Sequence, residues 1–217
     1  WFLHISDLHF SDFVPRRETD LNALIEDVFP HFDFSAVLLS GDLVDAKRKN
    51  KRSEQHPGEW EQYNRVLDQF RTSLGIANAS LIDIRGNHDA FDVGLRNGDR
   101  DVYQRNGAKG TEWSQGRILI DPIFGSSACP SHCFVGVDLS PEIGLRSPTN
   151  FFGTVTDEII QEFETKISLD MQHWYAEGCD PVYITYGHYP LSVTGKEERF
   201  FVFDQHGLRR VFLKYGI

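Results

Sequence analysis

The feature of this sequence that most restricts its fold is a series of short apolar segments, each followed at once by polar residues. Four of these segments have the pattern of buried β-strands, at residues 2–6, 36–40, 80–84 and 181–185. Further strands are predicted at 117–121 and 132–138, helices at 19–29, 59–74, 156–177 and 205–217, and an irregular region at 92–110. This alternation of apolar strands and amphipathic helices predicts an α/β layered fold.

The polar residues that follow the four strand segments are of the types that bind divalent metals. The candidate ligands, in chain order, are Asp7, His9, Asp42, Asn87 and His188. Carboxylate, imidazole and amide oxygen suit metals of intermediate hardness, and loops at the carboxyl ends of buried strands can converge. A glycine directly precedes three of the clusters, at Gly41, Gly86 and Gly187, where it would allow close backbone approach. One such cluster is explained by a simple turn, but four in order predict a shared metal site.

The number of candidate ligands predicts two metal ions rather than one. Five ligands are more than one tetrahedral ion needs, and Asp42 is the natural bridge between two ions. Two ions about 3.5–4 Å apart can hold a shared hydroxide and clamp a phosphoryl oxygen. His88 follows Asn87 directly, so it can face a substrate, stabilise developing charge or protonate a leaving oxygen. Asp45 is expected to be a helix cap or a hydrogen-bond acceptor near the metal.

In order along the chain, these residues resemble the calcineurin-like metallophosphoesterase family. The matching motifs are Asp7-x-His9, Gly41-Asp42, Gly86-Asn87-His88-Asp89 and Gly187-His188. The resemblance spans almost the whole chain and implies a four-layer sandwich of two mixed β-sheets, packed face to face with helices outside. It also implies a hydrolase of phosphoester bonds.

The resemblance also implies roles for individual residues. The first metal would be bound by Asp7, His9 and Asp42, and the second by Asp42, Asn87 and His188. His88 would be the catalytic histidine, and Asp89 would orient it. Arg146 lies in a predicted loop and suits a phosphate oxygen, which makes it a candidate substrate-binding residue; an ordinary surface arginine is the favoured alternative.

Three segments resemble one eukaryotic subgroup, comprising plant metallophosphoesterases and the animal transmembrane-protein-62 group. They are GDLVDAK, RGNHDAF and NFFG, and IGLRSPTNFFG is similar to the plant members. Members of the subgroup carry hydrophobic segments outside this domain, which implies a membrane-associated parent protein. The family's closing G-H-x-H motif is absent, because after His188 the only histidine is His206 in a helix-like segment. We therefore expect one domain over residues 1–217 that is incomplete at its C-terminus.

Composition excludes some classes of function and leaves others open. The formal net charge of −10 counts against a nucleic-acid backbone as partner. No segment is long and apolar enough to span a membrane. The three cysteines are too few for a disulfide framework, and we expect buried or free thiols, with one disulfide possible in an oxidising compartment. Asn78-Ala79-Ser80 is a glycosylation sequon, compatible with a lumenal or extracellular domain.

The predicted reaction is metal-dependent hydrolysis of a phosphate monoester or diester by a metal-bound hydroxide. One alternative is an inactive interaction or scaffold domain with the same fold; a single-metal structural site is another, but it leaves His88 unexplained. The metal would be Mn, Fe or Zn, since mixed nitrogen and oxygen ligands accept each of them. The expected partner is a phosphorylated small molecule, protein or nucleotide, with membrane contact through segments outside this chain. For the parent protein, the secretory lumen, the extracellular side or a membrane surface is favoured.

Overall fold

The computed structural model describes residues 1–47, 53–124, 128–144, 152–189, 202–203 and 205–217. The strands are β1 (Phe2–Ile5), β2 (Ala36–Ser40), β3 (Leu81–Ile84), β4 (Ile118–Phe124), β5 (Pro130–Val137), β6 (Gly153–Thr154), β7 (Val182–Tyr186) and β8 (Val202–Phe203). The helices are α1 (Arg16–Asp27), α2 (Pro57–Leu74), α3 (Val102–Asn106), α4 (Gly110–Trp113), α5 (Asp157–Ala176) and α6 (Gln205–Tyr215). Within the described part of the chain, none of the helices combines the length and the apolar character that crossing a membrane requires.

The strands form two three-stranded sheets and one short pair. The first sheet is parallel and has the order β1-β2-β3. The second has the order β4-β5-β7, with β4 antiparallel and β7 parallel to β5. A short parallel pair joins β6 and β8. Because β1, β2 and β3 run in the same direction, the loops that follow them emerge together at the carboxyl end of the first sheet.

The core has two parts, which define the order of the layers. The larger part joins β2 to helix α2 and to the second sheet, with Val37, Trp60 and Phe134 among its buried side chains. The smaller part lies between the second sheet and helices α5 and α6, and contains Val135 and Phe163. The molecule is thus layered as helices, first sheet, second sheet, helices. This architecture confirms the α/β fold class predicted from the sequence.

Two of the four segments predicted as buried strands are partly exposed. All positions of β2 and β3 are buried, whereas β1 and β7 lie at sheet edges, and Phe2 and Val182 are exposed. An edge strand has a hydrogen-bonded neighbour on one side only, so an apolar sequence does not ensure burial. β3 is also at an edge, but it is covered by residues 103–113, whose Trp113 side chain donates a hydrogen bond to Asp83 O at 2.8 Å.

The region predicted to be irregular, residues 92–110, contains helix α3 and the start of α4. The buried carboxylate of Asp83 organises this region. It accepts hydrogen bonds from two hydroxyls and two backbone N–H groups, those of Tyr63, Tyr103, Ala108 and Lys109. The sequence pattern gave no sign of these helices, because their position depends on one buried acceptor rather than on apolar periodicity.

One disulfide is present among the three cysteines. Cys129 and Cys179 are bonded, with their Cα atoms 5.5 Å apart, and Cys133 is a buried free thiol. The bond joins the segment before β5 to the turn between α5 and β7. The sequence left open whether the cysteines are free thiols or form one disulfide, and the structure contains one disulfide and one free thiol.

Candidate metal centre

The loops that follow β1 and β2 are joined by backbone hydrogen bonds. Asp7 N donates to Gly41 O at 3.0 Å, and His9 N donates to Asp42 O at 2.8 Å. The backbone φ angles of Asp7, His9 and Asp42 are 59°, 47° and 52°. Few non-glycine residues adopt this left-handed conformation, and such strained backbone is concentrated at functional sites, where the surrounding structure holds it in place.

Asp42 lies at the centre of the candidate ligands. Its Oδ2 is 3.5 Å from His9 Nε2, and its Oδ1 is 3.4 Å from His188 Nε2. His9 Nε2 is also 3.5 Å from Asp7 Oδ1, and His188 Nε2 is 3.1 Å from Asn87 Oδ1. The structure therefore brings all five predicted ligands together, in two groups that meet at different oxygens of one carboxylate.

The separations around Asp42 fit metal coordination better than direct hydrogen bonding. An N–H···O hydrogen bond usually spans about 2.7–3.2 Å. Two ligand atoms that are each about 2.1 Å from a tetrahedral ion lie about 3.4 Å apart. The distances of 3.4–3.5 Å from Asp42 to His9 and His188 match the second value. In addition, His9, Asp42 and His88 offer ligand atoms that all lie within 4.8 Å of one another. The donor set therefore fits a divalent metal ion.

Two glycines allow the loops to approach so closely. A Cβ on Gly86 would lie 2.2 Å from Asp42 N, and a Cβ on Gly41 would lie 2.6 Å from His188 Nδ1. Gly41 also has a φ of 87°, a conformation that costs glycine little. The predicted role of these two glycines is confirmed. A Cβ on Gly187 would instead meet Val137 O at 3.2 Å, so that glycine contacts a neighbouring strand and not a ligand.

His88 lies beside the candidate ligands, and Asp45 contacts its ring. His88 Nδ1 is 2.6 Å from the backbone oxygen of Asp45 and 3.6 Å from its Oδ1, whereas Nε2 is 3.8 Å from Asp42 Oδ2. Burial lowers the pKa of His88, but the hydrogen bond with Asp45 and the charge of Asp42 outweigh burial and raise it. Burial lowers the pKa of His9, which favours the neutral imidazole that binds metals.

Asp89 has a different role from the one predicted. Its buried carboxylate accepts hydrogen bonds from three backbone N–H groups, those of Leu43, Val44 and Gly86, at 2.9, 3.1 and 2.7 Å. Burial and the nearby charge of Asp42 raise the pKa of Asp89 to about 6. Asp89 thus fixes the loop after β2 against the loop after β3. The prediction that Asp89 orients the His88 ring is corrected, because Asp45 contacts that ring.

Gln55 is a positioning residue that sequence reasoning missed. Its Nε2 donates hydrogen bonds to His88 O at 2.9 Å and to Phe91 O at 3.0 Å, and its Oε1 accepts one from Trp60 Nε1 at 3.0 Å. It therefore connects helix α2 to the loop that carries His88. Nothing around Gln55 in the sequence signals this role, because the contact joins positions 33 residues apart.

Two further candidates have different outcomes. Arg146 falls within residues 145–151, outside the described residues, so its substrate-binding role stays a prediction. His206 lies in helix α6, as its helix-like sequence context predicted.

The sequence comparisons identify the family to which this geometry belongs. The model of the calcineurin-like phosphoesterase family matches residues 1–217. The chain therefore belongs to the calcineurin-like phosphoesterase family, as the motifs predicted. The class accounts for both the layered fold and the cluster of carboxylate, imidazole and amide ligands at the strand ends.

Two relatives agree with the subgroup predicted from the sequence. The chain is 32% identical over 219 residues to a protein of Arabidopsis thaliana named "Putative metallophosphoesterase", a match that covers 100% of this chain. It is 31% identical over 197 residues, or 88% of this chain, to Transmembrane protein 62 of Mus musculus. In each case the match spans 28% of the relative's length.

Proposed function

We propose that this domain hydrolyses phosphate monoesters or diesters with two metal ions held around Asp42. The observation that carries the proposal is the position of His9 and His188, 3.5 Å and 3.4 Å from different oxygens of that carboxylate. When bound, the two ions would polarise a phosphoryl group and lower the pKa of a water molecule towards about 7. We propose Mn, Fe or Zn, which accept this mixture of nitrogen and oxygen ligands.

The candidate ligands would form two metal-binding groups that share Asp42. Asp7 and His9 would bind one ion together with Asp42, and Asn87 and His188 would bind the other together with Asp42. Ser40 O lies 2.9 Å from His188 Nδ1, which fixes the ring so that Nε2 faces Asp42. A metal-binding histidine generally donates its second ring nitrogen to an acceptor in this way, which sets the tautomer and the orientation of the ring.

His88 is suited to transfer a proton. Because a carbonyl oxygen can only accept, the 2.6 Å contact with Asp45 O requires that His88 Nδ1 carry a proton. In the protonated ring, Nε2 then carries a second proton, on the side nearer to Asp42. We propose that this proton passes to the leaving oxygen of the phosphoester, so that His88 acts as the general acid.

The test is hydrolysis by the full-length protein and by its His88→Asn variant. The substrates are p-nitrophenyl phosphate and bis(p-nitrophenyl) phosphate, with manganese or zinc added. We expect kcat to fall by about 10²–10⁴, because positioned acid–base groups contribute that much. Elemental analysis should find two ions per chain in both proteins. His173→Asn is the matched control, because His173 is exposed on helix α5. Unchanged turnover in His88→Asn would contradict the assignment.

A second candidate is a non-catalytic interaction domain of the same fold. Such a domain would keep the layered fold and could still bind metal, but it would need no proton-transferring group. The contact between His88 and Asp45 counts against it, because a scaffold does not need a histidine held for proton transfer. A full-length protein that binds two ions but hydrolyses neither ester would support this second candidate.

The class of substrate is also a proposal. We infer a phosphorylated small molecule, protein or nucleotide, because the centre fits a phosphoryl group and the net charge of −10 disfavours a nucleic-acid backbone. The mouse relative is named Transmembrane protein 62, so we further propose that segments outside this domain bring the full-length protein to a membrane. Comparing turnover of soluble nucleotides, phosphopeptides and phosphorylated head groups in vesicles would separate these classes.

A further inference from the structure

The sequon Asn78-Ala79-Ser80 lies on the surface, at the end of the first sheet opposite the metal centre. It forms a 3₁₀ turn directly before β3, and Asn78 is exposed. Arg71 Nε donates a hydrogen bond to the amide oxygen of Asn78 at 2.6 Å. That contact involves the oxygen and not Nδ2, the atom to which an N-linked glycan attaches. The folded chain is therefore compatible with a glycan at this position.

The disulfide is an independent sign of the compartment in which the domain folds. Cys129 and Cys179 are 50 residues apart in the sequence, and their Cα separation of 5.5 Å lies in the usual range. Such bonds form and persist in secretory and extracellular compartments, and they are rare where glutathione keeps thiols reduced. The Cys129–Cys179 bond therefore points to an oxidising compartment.

The third cysteine does not compete for this bond. Cys133 is buried in β5, and burial together with the charge of Asp170 raises the pKa of its thiol to about 12. Because the thiolate is the species that attacks a disulfide, Cys133 is a poor partner for exchange. The pairing of Cys129 with Cys179 is thus the stable one.

We propose that this domain folds in the oxidising lumen of the secretory pathway and carries an N-linked glycan on Asn78. In the transfer, Asn78 Nδ2 loses one proton and bonds to the anomeric carbon of an oligosaccharide. The donor is a polyprenyl-diphosphate-linked oligosaccharide, which leaves as polyprenyl diphosphate. In disulfide formation, the Cys129 and Cys179 thiols lose two protons and two electrons to a disulfide-bearing oxidoreductase, which is reduced to its dithiol.

The position of the glycan would leave the metal centre open. Asn78 precedes β3, whereas Gly86 and the residues that follow it come after the strand. A strand rises about 3.3 Å per residue, so the four residues of β3 separate the two ends by about 13 Å. The modification should therefore change neither metal binding nor turnover, and the proposal does not depend on the proposed hydrolase function.

The first experiment maps Asn78 in the full-length protein expressed in cultured eukaryotic cells. Peptide-N-glycosidase should remove the glycan and so lower the apparent mass of the protein on a gel. It should also convert Asn78 to Asp, which raises the mass of that peptide by about 1 Da relative to the unmodified Asn78 peptide. Ser80→Ala should abolish both changes while keeping Asn78, and Ser80→Thr, which preserves the sequon, should keep both. An Asn78 peptide that is unmodified in the wild-type protein overturns the glycan.

The second experiment tests the compartment through the cysteines. The same protein is alkylated without reduction and then digested. We expect one cross-linked peptide pair containing Cys129 and Cys179, and a Cys133 that is alkylated only after unfolding. Alkylation of Cys129 and Cys179 without prior reduction would overturn an oxidising compartment, whatever the result at Asn78.

Discussion

The two sides of the metal centre differ in how firmly the protein holds them. The side chain of Asp42 is 5% exposed, and its Oδ1 accepts a hydrogen bond from His88 N at 2.9 Å. The side chain of Asp7 is 56% exposed and follows β1, a strand at a sheet edge. Both residues are candidate ligands of one metal, yet only Asp42 is fixed by buried neighbours.

This difference follows from the position of each strand in the sheet. β2 has a strand on both sides, and the loop after it is fixed to the loop after β3 by the carboxylate of Asp89. β1, in contrast, has a neighbouring strand on one side only. We therefore expect the buried side to be pre-organised before metal binds, and the side with Asp7 to depend on the metal for its order.

The largest effect is expected at the buried side. Asp42→Asn removes the charge that both groups of ligands share, and we expect turnover to fall about a thousandfold or more. Metal ions contribute several kcal/mol to such reactions, and each 1.36 kcal/mol is tenfold in rate. Phosphoester hydrolysis by the full-length protein measures the loss of turnover, and elemental analysis measures the loss of bound metal. Asp20→Asn, the same change at an exposed position of α1, should alter neither. Full activity of Asp42→Asn would remove Asp42 from the centre.

The candidate ligands could be identified from the sequence because their positions follow from strand direction. An apolar run followed by Asp42, or by Asn87, places the side chain at the carboxyl end of a strand, and parallel strands bring these ends together. The need for glycine at positions 41 and 86 could be predicted for the same reason. These inferences required only the order of strands and loops.

The supporting contacts could not be found in this way. Asp45 contacts His88 across 43 residues and Gln55 contacts it across 33, and both depend on the path of loops that have no periodic pattern. Burial of β1 and β7 was also predicted wrongly, because an apolar sequence does not tell whether a strand is central or at an edge. Tertiary contacts decided each of these features.

The second prediction tests whether close packing of the loops sustains the buried side. Gly41→Ala adds a Cβ 2.6 Å from His188 Nδ1 at a φ of 87°, whereas Gly75→Ala adds one at a φ of 65° with nothing within 4 Å. Both variants incur the backbone strain of about 1–2 kcal/mol. In Gly41→Ala, overpacking should lower the free energy of unfolding by about 1–3 kcal/mol more than in Gly75→Ala. Gly41→Ala should also weaken metal binding, because the new Cβ displaces His188. The new Cβ would also lie 2.8 Å from Gly86 Cα. Denaturant unfolding measures the difference, and equal losses would show that both the His188 ring and the Gly86 backbone move aside freely.

The third prediction concerns a contact outside the ligands. Gln55→Leu replaces the amide with an apolar side chain of similar size. It removes the hydrogen bonds to His88 O and Phe91 O and the acceptor of Trp60 Nε1. We expect kcat to fall about 10–100-fold with KM little changed, as for other residues that orient a centre from behind its ligands. Gln172→Leu, at an exposed position on α5, is the control. A fall in stability with no change in kcat would mean that Gln55 supports the fold and not the position of His88.

The smallest effect is expected at the exposed side. Asp7→Asn removes the negative charge but leaves one oxygen, that of the amide, beside His9 Nε2. Because Asp7 is exposed, water can also replace a lost ligand there. We expect turnover to fall about tenfold at low metal concentration, which corresponds to about 1.4 kcal/mol. Added manganese should restore most of it, because the loss is one of metal affinity. Titrating metal against activity separates the two sides: rescue of Asp7→Asn but not of Asp42→Asn supports a pre-organised buried side. Equal losses of turnover that added manganese does not rescue would mean that water cannot replace Asp7 despite its exposure. The carboxylates of Asp7 and Asp42 would then both be required in the reaction.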